Sequence, residues 1–283
     1  MSTFFLILSA VLIGILEGVT EWLPVSSTGH MLLFDALFGM EEAVSPAFYS
    51  FFLAFVQLGA VLAVVVLYFD RLNPWSRKKT VNEKKEAFRL WRCVLIGILP
   101  AALLGIPLDD LLEKYFYGVP VIAGALILYG VAFILIERRK NGRAARLESV
   151  YDISARDALG IGFFQALSLI PGTSRSGSTI LGGMLLGASR EASAEFSFFM
   201  AIPAMVGAGG IKMLGFFDYV GDSGVSVPMG AWVVLAVACI VAFAVSMLCI
   251  RFLTDFVKKH TFSAFGVYRI ILGAAVLIYF TVV

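Results

Sequence analysis

Two clusters of polar residues stand inside apolar sequence, and their spacing fits phosphate chemistry. In "EGVTEWLPVSSTGH" (residues 17–30), Glu17 and Glu21 are four apart, so on a helix both carboxylates leave from one face. Two like charges that close either share a proton or hold a cation. An oxygen-only donor set without a histidine or cysteine cluster suits a hard ion, Mg²⁺ or Ca²⁺, with Glu17 and Glu21 as its ligands. The second cluster, "PGTSRSGST" (171–179), offers the opposite charge: glycine-rich amides, hydroxyls, a guanidinium and the start of a helix. Such a nest binds phosphate oxygens, and Arg175 can clamp them with two parallel N–H groups, as a lysine could not. The candidate phosphate ligands are Gly172, Thr173, Ser174, Arg175, Ser176 and Thr179, with Ser26 and Thr28 from the first cluster. A hydroxyl of Ser26, Ser27 or Thr28 beside His30 or a carboxylate has the makings of an activated nucleophile, and His30 can take or return its proton. Arg175 and the cation would then stabilise charge on the phosphoryl oxygens.

Two familiar alternatives fail on residue type. "GTSRSGST" has Ser178 where a P-loop needs its lysine, and it follows an apolar helical stretch rather than a strand, so a nucleoside triphosphatase is excluded. Lipid phosphatases of the acid-phosphatase kind need a second histidine shortly after "SR", and none is present there.

The elements that position these clusters are read from hydropathy. The 283 residues are 60% hydrophobic and only 15% charged, with 25 Phe, more apolar surface than a soluble domain of this size can hide. The expected class is an all-α polytopic membrane protein forming a single membrane domain over residues 1–283. Six stretches can span a bilayer, at 48–69, 92–108, 118–136, 193–213, 229–250 and 263–281. Two more, 4–40 and 156–188, are apolar but broken at "PVSSTGH" and "PGTSRSG", and each reads as a re-entrant helix–loop–helix. The N-terminus lacks a basic region before its apolar run, so it is not expected to be a cleaved signal. Cys93, Cys239 and Cys249 lack metal-type spacing and read as small core residues.

Lys and Arg are absent from residues 1–47 and crowd into the 70–92, 137–156 and 251–260 connections, while Asp109, Asp110, Glu113, Asp218 and Asp222 mark the intervening ones. The basic connections read as cytoplasmic topology signals, not as nucleic-acid sites, which places both termini outside. The halves also resemble each other. "YSFFLAF" (49–55) matches "FSFFMAI" (196–202), "SSTG" (26–29) lines up with "SRSG" (174–177), and Glu17 falls opposite Gln165. One broken segment plus three crossings per half inverts the second copy, giving repeats over 1–140 and 150–283 whose polar tips meet near mid-membrane. The bland reading of the tips, Gly/Pro kinks with hydroxyls bonded to their own backbone, does not explain Glu17, Glu21, His30 and Arg175, because intramembrane ionisable groups are costly. Gln57 reads equally as site-lining or as a helix–helix contact. Arg269, inside the last span, reads as a structural partner or a snorkelling residue, and His260 as solvated.

With these motifs in place, the chain resembles the undecaprenyl-diphosphate phosphatases of the bacitracin-resistance type. "EGVTE" fits that family's (E/Q)xxxE motif, "PVSSTGH" its companion loop and "PGTSRSGST" its PGxSRSxxT motif, in order, and "YRIILG" (268–273) extends the likeness to the C-terminus. The resemblance implies removal of the terminal phosphate of undecaprenyl diphosphate, recycling the lipid carrier of peptidoglycan synthesis and conferring bacitracin resistance. It also implies divalent-cation dependence, residence in the bacterial cytoplasmic membrane and an active site reached from its outer side. Carried over by residue, Glu17 and Glu21 are metal or acid/base groups, Arg175 the phosphate clamp, Ser27 the favoured nucleophile and His30 its proton-transfer partner, with His30 itself as the other candidate nucleophile. A lipid-phosphate transporter or flippase is the rival, since inverted repeats with broken helices are a carrier's design and it would use the same cradle. The Gly-rich helices are compatible with a homodimer without specifying one.

Overall fold

The computed structural model describes residues 3–39, 46–140, 144–223 and 227–282. They form α1 (Thr3–Thr20), α2 (Ser27–Phe38), α3 (Pro46–Leu67), the one-turn α4 (Phe69–Leu72), α5 (Val81–Phe116), α6 (Val119–Lys140), α7 (Ala155–Ala166), α8 (Arg175–Leu185), α9 (Arg190–Ser223), α10 (Met229–Lys259) and α11 (Ser263–Val282). Among the described residues no strand forms, and one parallel bridge joins Leu147 to Ala188. Helices α3, α5, α6, α9, α10 and α11 are long and apolar enough to cross a membrane, which makes this a multi-pass membrane protein. Neither broken segment is continuous. The first splits into α1 and α2, the second into α7 and α8. The 12-residue α2 is about 18 Å long, short of the roughly 30 Å of a hydrocarbon core.

The expected basic "loops" are largely helix. Val81 rather than residue 92 opens α5, so Lys84, Lys85, Arg89 and Arg92 lie on its first turns. Arg251, Lys258 and Lys259 likewise belong to α10, and Asp109, Asp110 and Glu113 to the far end of α5. Hydropathy falls where a chain leaves hydrocarbon, but backbone hydrogen bonding need not, and Lys, Arg and Glu are good helix formers. The true start of α5 is a capping box: the Thr80 hydroxyl accepts from the Glu83 amide (3.3 Å), and the Glu83 carboxylate accepts from the Thr80 amide (2.7 Å). Arg143, part of the second basic connection, lies outside the described residues.

The main pairings run across the halves of the chain. α1 lies along α10 and α7 along α5, while α6 pairs with α11 and α3 with α9. The matched strings supply the core: Phe51, Phe52, Phe198 and Phe199 are all fully buried. The halves differ at their short helices. Ser176 to Met184 of α8 are buried without interruption, whereas α2 buries Gly29, Met31 and Phe34. Leu62, Leu103, Leu128, Ile240 and Ile271 are exposed, as expected of side chains that face lipid.

Between membrane helices there is no water to expel, so close backbone approach replaces hydrophobic burial as the main attraction. A Cβ on Gly130 of α6 would stand 2.6 Å from the Gly266 carbonyl oxygen of α11, and a Cβ on Gly266 equally close to that of Gly130. Gly130→Val is expected to destabilise the protein by about 1–3 kcal/mol through this overpacking. Gly124→Ala is the control, because nothing lies within 4 Å of its added methyl. Thermal unfolding in detergent distinguishes them; equal midpoints would show that α6 and α11 do not depend on this contact.

Candidate active site

The first loop forms because α1 runs out of donors. The Thr20 hydroxyl bonds back to Leu16 O (2.7 Å), the amides of Glu21 and Leu23 still reach Glu17 O and Val19 O, and then Pro24 offers no N–H. The chain turns through Ser26, at φ 73° and ψ 103°, directly into α2. In the second loop Gly172 has φ 91°, and Ser174, at φ 69° and ψ 128°, leads into α8. Ser26 and Ser174 are the non-glycine residues of positive φ among those described, and the sequence alignment of the halves pairs them with each other. Such conformations cost on the order of 1–3 kcal/mol each and persist where surrounding contacts hold them. Ser174 is held by its own cap, its hydroxyl accepting from the Gly177 amide at 3.1 Å. Ser26 has no such bond, and its hydroxyl is buried without a hydrogen-bond partner.

The two loops meet. Arg175 donates from Nε (3.1 Å) and Nη2 (3.0 Å) to Glu21 Oε1. Its Nη1 donates to the Ser197 carbonyl at 2.7 Å, and the guanidinium lies 6.0 Å from the centroid of the Trp22 ring. Trp22 in turn meets Phe198 edge-on. The ion pair is nearly enclosed, with 13% of the Arg175 side chain and 7% of Glu21 exposed. Ser176 Oγ crosses to the Leu23 carbonyl (3.3 Å). Behind both loops stands Arg269 of α11, completely buried, donating to Pro24 O (3.1 Å), Gly172 O (2.7 Å), Thr173 O (3.0 Å) and Leu126 O (3.4 Å). It is a structural partner, as one sequence reading held, and it does not snorkel.

On the acidic side, Glu17 is buried beside Glu21 and Gln57, and its Oε1 has no hydrogen-bond partner. Gln57 therefore lines the site. Ser27 Oγ donates to Glu21 Oε2 at 3.4 Å, a long bond. His30 Nδ1 is 2.7 Å from the Ser26 carbonyl, which can only accept, so the proton sits on Nδ1. Nε2 then accepts from the Tyr268 hydroxyl, also at 2.7 Å, and the two rings stack 8° from parallel.

The structure thus brings together Glu17, Glu21, Ser27, Arg175 and Ser176, and gives the other candidates contacts of their own. Ser27 is joined to Glu21 rather than to His30, because the imidazole folds back one helical turn onto Ser26 O and spends its other nitrogen on Tyr268. Thr173 donates to Ile170 O and Leu167 O, and Thr179 to Arg175 O and Ser197 Oγ, so both hydroxyls brace the loop or helix. Thr28 is exposed. Tyr268, Ser197 and Trp22 were missed. Each lies in a string already singled out, Trp22 in "EGVTEWLPVSSTGH", Ser197 in the repeated "FSFF" and Tyr268 in "YRIILG", but none was named as a site residue.

Comparison with known proteins adds an independent observation. The family model for bacitracin resistance protein BacA matches residues 10–275, which takes in both loops and the first part of α11, including Tyr268 and Arg269. The chain belongs to the BacA family. Among BacA-like relatives, an undecaprenyl-diphosphatase of Lactococcus lactis subsp. cremoris is 51% identical over 277 residues, covering 95% of each chain. One from Streptococcus gordonii is 50% identical, covering 98% of this chain and 96% of its own. One from Clostridioides difficile, undecaprenyl-diphosphatase 1, is 46% identical over 99% of both.

Proposed function

We infer that this chain is an undecaprenyl-diphosphatase, releasing the terminal phosphate of undecaprenyl diphosphate and returning undecaprenyl phosphate to peptidoglycan synthesis. Near-full-length likeness to relatives of that name supports the substrate. The observation that carries the chemistry is a hydroxyl, a carboxylate and a guanidinium in one line, Ser27–Glu21–Arg175, assembled from two loops.

Arg175 binds the terminal phosphate with the fork it now turns on Glu21, assisted by the free amides that begin α8. As the guanidinium transfers its bonds to phosphate, the Glu21 carboxylate is released to face Ser27. Ser27 Oγ attacks phosphorus, Glu21 takes its proton, and the bond to the bridging oxygen breaks, with undecaprenyl phosphate leaving. Glu21 passes that proton to the departing undecaprenyl phosphate, then takes one from the water that attacks the phosphoserine and returns it to Ser27 Oγ as the phosphate leaves. His30 as nucleophile is disfavoured by geometry, since both ring nitrogens are already bonded. A carrier would need the cradle but no hydroxyl on a carboxylate, so the Ser27–Glu21 contact favours hydrolysis over transport.

The oxygen donors suit a divalent cation. Glu17 Oε1 is a buried acceptor with no donor, beside a second carboxylate and an amide. Among the described residues no group of three or more His, Cys, Asp or Glu forms a site. Glu17, Glu21 and Gln57 would hold the ion together with substrate oxygens. When bound, it supplies Lewis-acid charge stabilisation at the phosphoryl group.

The inverted repeat and the re-entrant loops belong to the same reading. They are supported by exchange of the halves, which turns the α1–α10 pair into α7–α5, and by the matched backbone at Ser26 and Ser174. Basic residues at the ends of α5, α6 and α10 support a cytoplasmic-membrane orientation with the first loop opening outward.

The test is a single-turnover reaction with a ³²P-labelled prenyl diphosphate. A label stable in acid and lost in Ser27→Ala marks phosphoserine; an acid-labile label lost in His30→Ala would transfer the role to His30. Phosphate release should fall on the order of 10²-fold or more in Ser27→Ala, and EDTA should abolish it, restored by Mg²⁺ or Ca²⁺.

A further inference from the structure

We propose that Tyr268 is a positioning residue of this reaction: its hydroxyl donates to His30 Nε2 and holds the imidazole in one tautomer and one orientation at the edge of the site. The inference rests on the diphosphatase reading only for its kinetic consequence, because the contact itself is geometric.

His30 lies on α2, the less enclosed of the two short helices, and is itself only half-buried. One bond to Ser26 O would leave the ring free to rock about its Cβ. The hydroxyl of Tyr268 arrives from 238 residues away, 2.7 Å from Nε2, and the tyrosine ring lies parallel to the imidazole. Hydrogen bond and stack together define the plane of the ring as well as its direction. The neighbouring residue explains why the hydroxyl arrives at the right height. Arg269 fixes α11 against the Pro24 and Gly172–Thr173 carbonyls, so the register of this helix is set by the same loops that carry the site. Tyr268, adjacent in sequence, inherits that register. The result is a continuous chain from the strained Ser26 peptide through the imidazole to a phenol that is itself partly exposed. His30 so restrained can take a proton from the phosphate groups through the phenol, which passes its own proton to Nε2 as it accepts one, without first reorienting.

Tyr268→Phe tests this without endangering the fold, since the ring and its stack remain and only a partly exposed hydroxyl goes. Two readouts are needed. With purified full-length protein and a prenyl diphosphate, kcat should fall about tenfold with KM within about twofold, the size expected for one lost orienting hydrogen bond. A raised KM with unchanged kcat would make Tyr268 a substrate contact and overturn the proposal, as would unchanged kinetics. The second readout needs no turnover. The chain has two histidines, so ¹⁵N-histidine spectra of the His260→Asn protein report His30 alone. The expected spectrum has the proton on Nδ1, and an Nε2 signal that moves in Tyr268→Phe. A proton on Nε2, or a spectrum indifferent to Tyr268→Phe, would overturn the contact. Wild-type protein that released no phosphate would sink the diphosphatase reading, with the spectra still deciding the role of Tyr268.

Discussion

Arg175→Ala is expected to lower phosphate release on the order of 10²–10³-fold and to destabilise the fold by about 3–5 kcal/mol. Both losses have one cause. The guanidinium faces Glu21 and Ser197 in the resting protein, and removing it strands a nearly buried carboxylate. In the reaction the same group turns to the phosphate, so its absence also removes the positive charge that the transition state needs. The double variant Glu21→Gln/Arg175→Gln separates the effects, because neutralising both partners leaves no stranded charge. It should recover most of the lost thermal stability and none of the activity. Arg175→Lys keeps the charge but cannot bond Glu21 and Ser197 O together, and should fall between. An Arg175→Ala protein that kept activity within threefold of wild type would remove this residue from the site.

Arg269→Met should be the more damaging change for the structure. Its guanidinium satisfies buried carbonyls of both loops at once, and each carbonyl left without a donor costs about 1–3 kcal/mol. Met fills similar volume and donates nothing. The expected result is a thermal midpoint far below wild type, with activity lost because Glu21 and Arg175 no longer face each other. Arg269→Lys should not rescue it, since a single ammonium cannot span Pro24, Gly172 and Thr173. Arg251→Met, at an exposed position of α10, is the control for loss of an arginine as such. Near-normal stability of Arg269→Met would mean that the loops hold each other without help.

These two arginines show how far the sequence could be read. Glu21 with Arg175 was legible, because a carboxylate and a guanidinium inside apolar sequence cost too much to be idle, and the matched halves brought their loops together. Arg269 was visible as an anomaly but not as a fastener. Its partners are peptide carbonyls, which every residue has and no sequence pattern reveals. The Tyr268–His30 contact joins residues 238 apart and depends on helix register, which hydropathy does not encode. Of the two partners the sequence offered Ser27, a carboxylate or His30, the resting structure shows the carboxylate, for a local reason. The two residues are neighbours on α2, but a histidine that finds a backbone carbonyl one turn back takes it. Span positions were right and span ends were not, as α5 shows, because charged helix formers carry the helix on past the apolar stretch.

The bond between Glu21 and Arg175 crosses 154 residues, and that distance is also an interval in time. As the chain is made, Glu17 and Glu21 are translated before Arg175, the guanidinium that Glu21 pairs with. A charged side chain in hydrocarbon costs about 2.5–3.5 kcal/mol on insertion scales, so these carboxylates gain from a partner that is made later. The first loop to be translated can therefore make the contacts that hold it only after the second half of the chain exists.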